Sequence, residues 1–449
     1  MAKLIFPDNF IWGTATASYQ IEGGCRDDGK GESIWDRFTR VRENISDRNN
    51  GDVACDSYHL YRQDVELMKE LELDAYRFSI SWSRVFPDGK GRPNPKGIDY
   101  YKRLTASLTE NGIRPVVTLS HWDLPQKLQD IGGWANRDTT DYFMEYARYM
   151  YKELGDSVPI WITHNEPSVV TFIGNWLGTH APGIKDFSTA LLVSHNLLLS
   201  HGKAVKAYRE MGLKGEIGIT LATSNMYPAT ETAEDAAAAL RSDGYWNRWF
   251  MDPVLKGKYP EDMLDWYAGR VVLPDITRED LKLIGLPVDF LGVNYYYASS
   301  VSSDKSKYPL ELTEDFIGEH RTEMGWGVNP ESLGDFLLRL HKDYDGVKMY
   351  ITENGAAYKD IINREGRIAD DNRTDFLYRY LTQIHRAIQG GADISGYFVW
   401  TLMDNFEWAY GFSKRFGLAY TDHLTHKRTI KDSGYWYRDV IRNNAIETV

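Results

Sequence analysis

PIWITHNE (159–166) and KMYITENG (348–355) are short apolar runs in which a glutamate follows an Ile-Thr pair. Brief runs of β-branched and apolar residues with this length read as strands buried on both faces. Working outward, the same reading picks out AYRFSISW (75–82), RPVVTLSHW (114–122), EIGITLAT (216–223), VDFLGVNYY (288–296) and ISGYFVWTL (394–402). FIWGTATASYQ (10–20) is an eighth, although Gly13 is an awkward residue inside a strand. Amphipathic stretches at 58–73, 97–112, 139–155, 188–212 and 373–391 separate these runs. In the first of them Leu60, Val65, Leu67, Met68 and Leu71 fall roughly on one helical face. Several of the stretches end in glycine, which suits a left-handed helix cap. Strand-helix alternation implies a parallel sheet, and eight units imply an α/β chain closed into a (β/α)8 TIM barrel.

The 449 residues would make about three average domains. No Pro/Ser-rich linker, charge block or low-complexity tract divides them, and the AEDAAAAL run near 236 reads only as helix. One domain spanning 1–449 is expected. A minimal barrel needs about 250 residues, so the surplus goes into long loops. Those around 23–55, 165–186, 297–330 and 403–430 are expected to wall a deep pocket above the strands.

Acidic residues outnumber basic ones 64 to 52, a formal charge of −12. That balance lacks the basic face a nucleic-acid partner requires. Cys25 and Cys55 cannot make a disulfide framework, and no Cys/His set has metal-binding spacing. HExxH is missing, and His195 and His201 lie six apart, on different helix faces. No metal or cofactor is expected. The segment 24–30 nearly matches a phosphate loop, but Gly31 stands where Ser or Thr must reach magnesium, so it reads as a polar loop. The opening MAKLIFPDNF lacks a signal peptide's apolar run, and no run approaches the ~20 residues of a membrane span. A soluble cytoplasmic protein is expected. The unusual component is aromatic: 14 Trp, 29 Tyr and 17 Phe.

In a barrel of this type the site is built at the carboxyl ends of the strands. There the runs carry Gln20, Arg77, His121 with Trp122, Asn165 with Glu166, Asn294 with Tyr296, Glu353 with Asn354, and Trp400 followed by Asp404. A barrel core built of branched aliphatics does not account for them. Singly, each has a structural explanation: Arg77 a buried ion pair, His121 a satisfied histidine, Trp400 packing. Their coincidence at one end of the barrel points to a site. Glu166 and Glu353, on strands four and seven, make a carboxylate pair suited to glycosidic bond cleavage, one protonating the leaving oxygen and one engaging the anomeric carbon.

Together these segments resemble glycoside hydrolase family 1, the retaining β-glucosidases and β-galactosidases, over essentially the whole chain. FIWGTATASYQIEG (10–23) is similar to the family's amino-terminal signature, and YRFSISWSRVFP (76–87) to its second strand. WITHNEP (161–167) resembles its acid/base motif, YITENG (350–355) its nucleophile motif, and DNFEWAYGFSKRFGLAYTD (404–422) its sugar-binding loop. The resemblance implies Glu353 as nucleophile and Glu166 as general acid/base. It implies Gln20, His121, Trp122, Asn165, Asn294, Glu407 and Trp408 around the non-reducing sugar, with Trp400 as its stacking floor. Arg77 and Tyr296 fall beside the nucleophile, and Trp326 of TEMGW forms an aglycone-side wall. The substrate class implied is a small β-glucoside, from cellobiose and short β-gluco-oligosaccharides to aryl β-glucosides.

Two positions depart from the family pattern. His164 reads as a packing residue or as a group tuning Glu166, and Ser168 removes one aglycone wall. A 6-phospho-β-glycosidase is the nearest alternative, opposed by Glu407, whose charge would repel phosphate; Lys414 lacks the rest of a phosphate clamp. A non-catalytic sugar-binding barrel would require the loss of one glutamate. The residue set leaves glucose, galactose and fucose undistinguished, and oligomeric state open.

Overall fold

The computed structural model describes residues 3–447. Eight parallel strands close a barrel in chain order: β1 (Ile11–Ala15), β2 (Ala75–Ser79), β3 (Arg114–Ser120), β4 (Ile160–Asn165), β5 (Glu216–Thr223), β6 (Phe290–Tyr295), β7 (Met349–Asn354) and β8 (Ile394–Trp400). Every run expected as a strand is one. The eighth stops early: β1 ends at Ala15, and Ser18–Ile21 forms a helical turn that carries Gln20 above the barrel. Gly13 is required where it stands. A Cβ there would lie 2.5 Å from the Phe398 ring and 2.7 Å from the Ala75 carbonyl oxygen, so the neighbouring strands leave no room for a side chain.

Helices follow the strands as α1 (Ser57–Glu70), α2 (Pro95–Glu110), α3 (Thr139–Leu154), α4 (Phe187–Glu210), α5 (Arg278–Ile284), α6 (Pro330–Asp343), α7 (Asp371–Gln389) and α8 (Asp432–Asn443). Their starts are chemically marked. Asn94 caps α2 ahead of Pro95, and the Asp186 carboxylate accepts from the Thr189 N–H at 2.6 Å. On α1 the apolar stripe faces inward: Val65, Leu67 and Met68 are buried, and Leu71 just beyond its end is too. Leu60 is only half-buried.

The upper barrel differs from the aliphatic core expected of it. Arg77 Nε donates to Thr118 Oγ1, Thr220 Oγ1 to Thr352 Oγ1, and Thr352 Oγ1 to Asn294 Oδ1 at 2.7 Å, all buried. Polar groups fill this layer because each finds a partner there, which removes the penalty of burying it.

The loops are also more ordered than a loop reading implies. Within 297–330, strands Ala298–Ser303 and Leu312–Ile317 pair antiparallel and join Met226–Pro228 in a three-stranded sheet. Within 403–430, Ala419–Thr421 pairs with Arg428–Ile430. Among the described residues no helix is long and apolar enough to cross a membrane.

Candidate active site

A cavity of about 390 Å³ opens at the carboxyl ends of the strands. Glu166 and Glu353 both face it, 6 % and 4 % exposed. The strands that present them are irregular at that point. The β4–β5 register shifts between Ile162 and Asn165, and the β6–β7 register shifts between Ile351 and Glu353. Such irregularities re-aim side chains at a barrel rim. Glu166, Trp122 and Trp408 also adopt the left-handed backbone region, at φ 50°, 76° and 45°. Non-glycine residues rarely do so, and three around one cavity mark a site whose surroundings over-determine its geometry. The Glu166 N–H is held by the Thr220 carbonyl at 2.8 Å, and the Trp122 indole N–H by the Asn165 carbonyl at 3.0 Å.

The two glutamates have opposite surroundings. Glu353 Oε1 accepts from Arg77 Nη1 at 2.6 Å, and Oε2 accepts from the Tyr296 hydroxyl at 2.7 Å. Burial and the neighbouring Glu353 charge push the Tyr296 phenol well above its ordinary range, so it stays a donor. Arg77 is itself fixed by the Thr352 carbonyl and by Asn165 Oδ1. Among the described residues Glu166 receives only the Asn294 amide, 2.8 Å from Oε1. Its carboxyl is pushed up to about 8, first by burial and then by the charge on Glu353. Glu407 is pushed up to about 8 for the same two reasons, against hydrogen bonds from Gln20 and Trp400. Among the described residues Arg77 pairs with Glu353 and with neither Glu166 nor Glu407, so the one ion-paired carboxylate of the three is Glu353.

Around them the polar groups are only partly satisfied. Gln20 Nε2 donates to Asn405 Oδ1 and the Phe406 carbonyl, leaving Gln20 Oε1 buried without a partner among the described residues. Because Arg77 fixes Asn165 Oδ1, the Asn165 amide N–H must point at His121 Nε2, 3.0 Å away. His121 therefore carries its proton on Nδ1, which has no partner among the described residues. Burial and nearby Arg77 lower the His121 pKa well below its usual value, so the ring is neutral. A free acceptor and a free donor beside an aromatic wall suit a neutral polyhydroxylated ligand. That wall is continuous: Trp122 lies 4.4 Å from Trp408, and His121 stacks between Trp400 at 6.0 Å and Trp408 at 5.9 Å.

Of the residues singled out from sequence, His121, Trp122, Glu166, Asn294, Tyr296, Trp326, Glu353, Trp400, Glu407 and Trp408 line the cavity. Gln20, Arg77 and Asn165 lie one layer behind it. Segments 165–186, 297–330 and 403–430 contribute walls, but 23–55 does not. Its Trp35 backs Trp408 from outside, with ring centres 4.6 Å apart. His164 points away from Glu166 and stacks on Phe143 at 4.4 Å while bonding Ser200 at 2.8 Å, so it is a packing residue. Ser168 is buried and outside the wall. Lys30 of the near phosphate loop is paired with Asp36 at 2.8 Å, and the Lys414 ammonium contacts the Glu323 carbonyl. Trp246, His180 and Ile173 line the cavity but were not picked out from sequence. The unusually long stretch between β5 and β6 was the available signal for Trp246.

The segment bearing Glu407 and Trp408 is closed at its base by buried charge. Asp404 accepts from Lys431 Nζ, Arg415 Nη1 and the Gly417 N–H at 2.7, 2.7 and 2.8 Å. Lys431 also bonds Asp360, which pairs with Arg373. Burial raises the Asp404 carboxyl, but Lys431, Arg415 and Arg373 outweigh it and hold it below the usual range. Lys431→Met would leave two aspartates short of a cation where water cannot replace it. A loss of about 3–5 kcal/mol is expected, read as a lower Tm and midpoint in denaturant.

An eight-stranded barrel whose mouth holds paired glutamates among indoles has the architecture of a glycoside-cleaving enzyme. The chain belongs to glycosyl hydrolase family 1, whose sequence profile matches residues 2–446. It is 55 % identical to Beta-glucosidase A of Acetivibrio thermocellus, over 99 % of this chain and 100 % of that one. It is 40 % identical to a bifunctional β-D-glucosidase/β-D-fucosidase of Bifidobacterium breve, over 98 % and 99 %. A Thermotoga maritima family 1 glycoside hydrolase, solved with a cyclophellitol analogue as transition state mimic, superposes with a TM-score of 0.96 at 45 % identity, with both chains fully covered.

Proposed function

We propose that this chain is a β-glucosidase, a single catalytic domain that removes terminal non-reducing β-D-glucosyl residues with net retention. The observation that carries the reading is the unequal pair: Glu353 held by a guanidinium and a phenol, Glu166 held by an amide and pushed up to about 8. One is suited to attack, the other to donate a proton.

In the first step Glu353 attacks the anomeric carbon as Glu166 protonates the departing oxygen, giving an α-linked glycosyl ester. Esterification removes the Glu353 charge, one of the two main causes of the raised Glu166 pKa. Glu166 then becomes a stronger acid, loses its proton, and serves as the base that activates water. Gln20 Oε1, His121 Nδ1 and Glu407 are the candidate partners for sugar hydroxyls, and Trp400 supplies a flat face for C–H groups. Relatives named for glucosidase and for fucosidase activity support the glycone class. The chemistry fits release of glucose from cellobiose and other short β-glucans left by cellulose breakdown, in a cytoplasmic setting.

Since Glu166 must be protonated for the first step, kcat/KM is expected to fall as pH rises through about 8. Glu166→Gln should abolish that alkaline limb; a limb that survives the substitution would assign it elsewhere. The deciding experiment for the function is a panel of aryl β-glucosides, β-galactosides and β-fucosides with NMR detection of the first anomer released. β-Glucose appearing first is the expected result, and α-glucose would overturn the retaining mechanism.

A further inference from the structure

The cavity lining divides into two halves of unlike composition. One, from the ends of β3 and β8, brings His121, Trp400, Glu407 and Trp408. In the other, the segment after β4 brings Val169 and Ile173, the β5–β6 crossover brings Trp246, and segment 297–330 brings Met324 and Trp326. This second wall carries no charged side chain. Trp246 is half-buried, whereas its neighbours Tyr245, Asn247 and Trp249 are buried.

The backbone presents that one ring deliberately. Gly244–Arg248 is a π-helical turn, and it lies against a second π-helical segment, Val169–Leu177. Such turns rotate a side chain out of the regular helical register and recur at functional sites. Phe172 of the second segment stacks behind Trp246, with ring centres 6.3 Å apart and planes at 28°. The turn is clamped on both sides. Asn247 Nδ2 donates to the Ser224 carbonyl, just past β5, and to Asp243 Oδ1, each at 2.8 Å. Arg248 forks onto Asp262 at 2.8 and 2.7 Å and reaches Asp243 at 2.9 Å. A Cβ on Gly244 would lie 2.4 Å from the Met263 sulfur, so the start of the turn packs directly on the Met263 side chain.

We propose that Trp246 is the stacking platform for the leaving-group half of the substrate and sets which aglycones are cleaved. The proposal rests on the glycosidase reading above and adds the leaving-group class. A rigid indole in an uncharged wall selects a neutral leaving group with a ring face, a second glucose unit or an aryl ring, over a short acyclic alcohol. Because water alone occupies that half during the second step, the preference acts on formation of the glycosyl-enzyme.

The test compares wild type, Trp246→Ala and Trp246→Phe on cellobiose, phenyl β-glucoside and β-glucosyl fluoride. Trp246→Ala is expected to lower kcat/KM about tenfold for the two ring-bearing substrates and less than about twofold for the fluoride, which has no ring to stack. Trp246→Phe is expected to keep the ring substrates within about threefold of wild type. Equal losses on all three substrates would make Trp246 merely structural and overturn the proposal, as would unchanged turnover of cellobiose. Wild-type enzyme that fails on β-glucosyl fluoride would instead overturn the glycosidase reading itself, so the two failures are distinguishable.

Discussion

Glu353→Ala is expected to lower turnover of aryl β-glucosides by on the order of 10⁵-fold, because it removes the group that forms the covalent intermediate. Azide should restore turnover by occupying the vacated space and attacking from the same face, giving an α-glucosyl azide. The variant should still fold. Arg77 would lose one partner but keep the Thr352 carbonyl, Asn165 Oδ1 and Thr118 Oγ1. Glu353→Gln, which retains an acceptor for the guanidinium, should match wild type more closely in Tm while remaining as inactive. If Glu353→Gln kept substantial activity, Glu353 would not be the nucleophile.

Glu166→Ala should produce a different signature, because its cost depends on the leaving group. Cellobiose, whose departing alcohol needs a proton, should lose about 10²–10⁴-fold in kcat/KM. A 2,4-dinitrophenyl glucoside departs without protonation, so its first step should be nearly unchanged, and the glycosyl-enzyme should accumulate in a burst. Azide should then attack the intermediate to give the β-glucosyl azide. The same anomer from the Glu353 and Glu166 variants would overturn the division of roles. Equal losses on cellobiose and the dinitrophenyl glucoside would remove Glu166 from proton transfer.

Much of this is legible in the amino-acid sequence. All eight strands stand out because a barrel strand is buried on both faces and so reads as a continuous apolar run. The glutamates stand out because acidic groups at the ends of such runs have no packing purpose. Less visible was which polar residues touch the cavity. Gln20, Arg77 and Asn165 belong to the site yet lie behind its wall, and neither a strand's alternation nor the one helical turn that carries Gln20 reveals depth along the barrel axis. The segment 23–55 looked like a pocket wall because it is long, but it spends that length on buttressing Trp408 through Trp35.

The barrel, the carboxylate pair and the aromatic surround are legible along the chain, because each depends on local pattern: burial period, strand-end chemistry and composition. Folding alone settles how unequally the two glutamates are held, which nitrogen of His121 is free, and that Trp246 reaches the cavity at all. Those properties depend on groups brought together from strands far apart in the chain, and on a π-helical turn whose phase no periodicity in the sequence records. Charge partition and side-chain aim arise from contacts between elements, and they exist only once the barrel has closed.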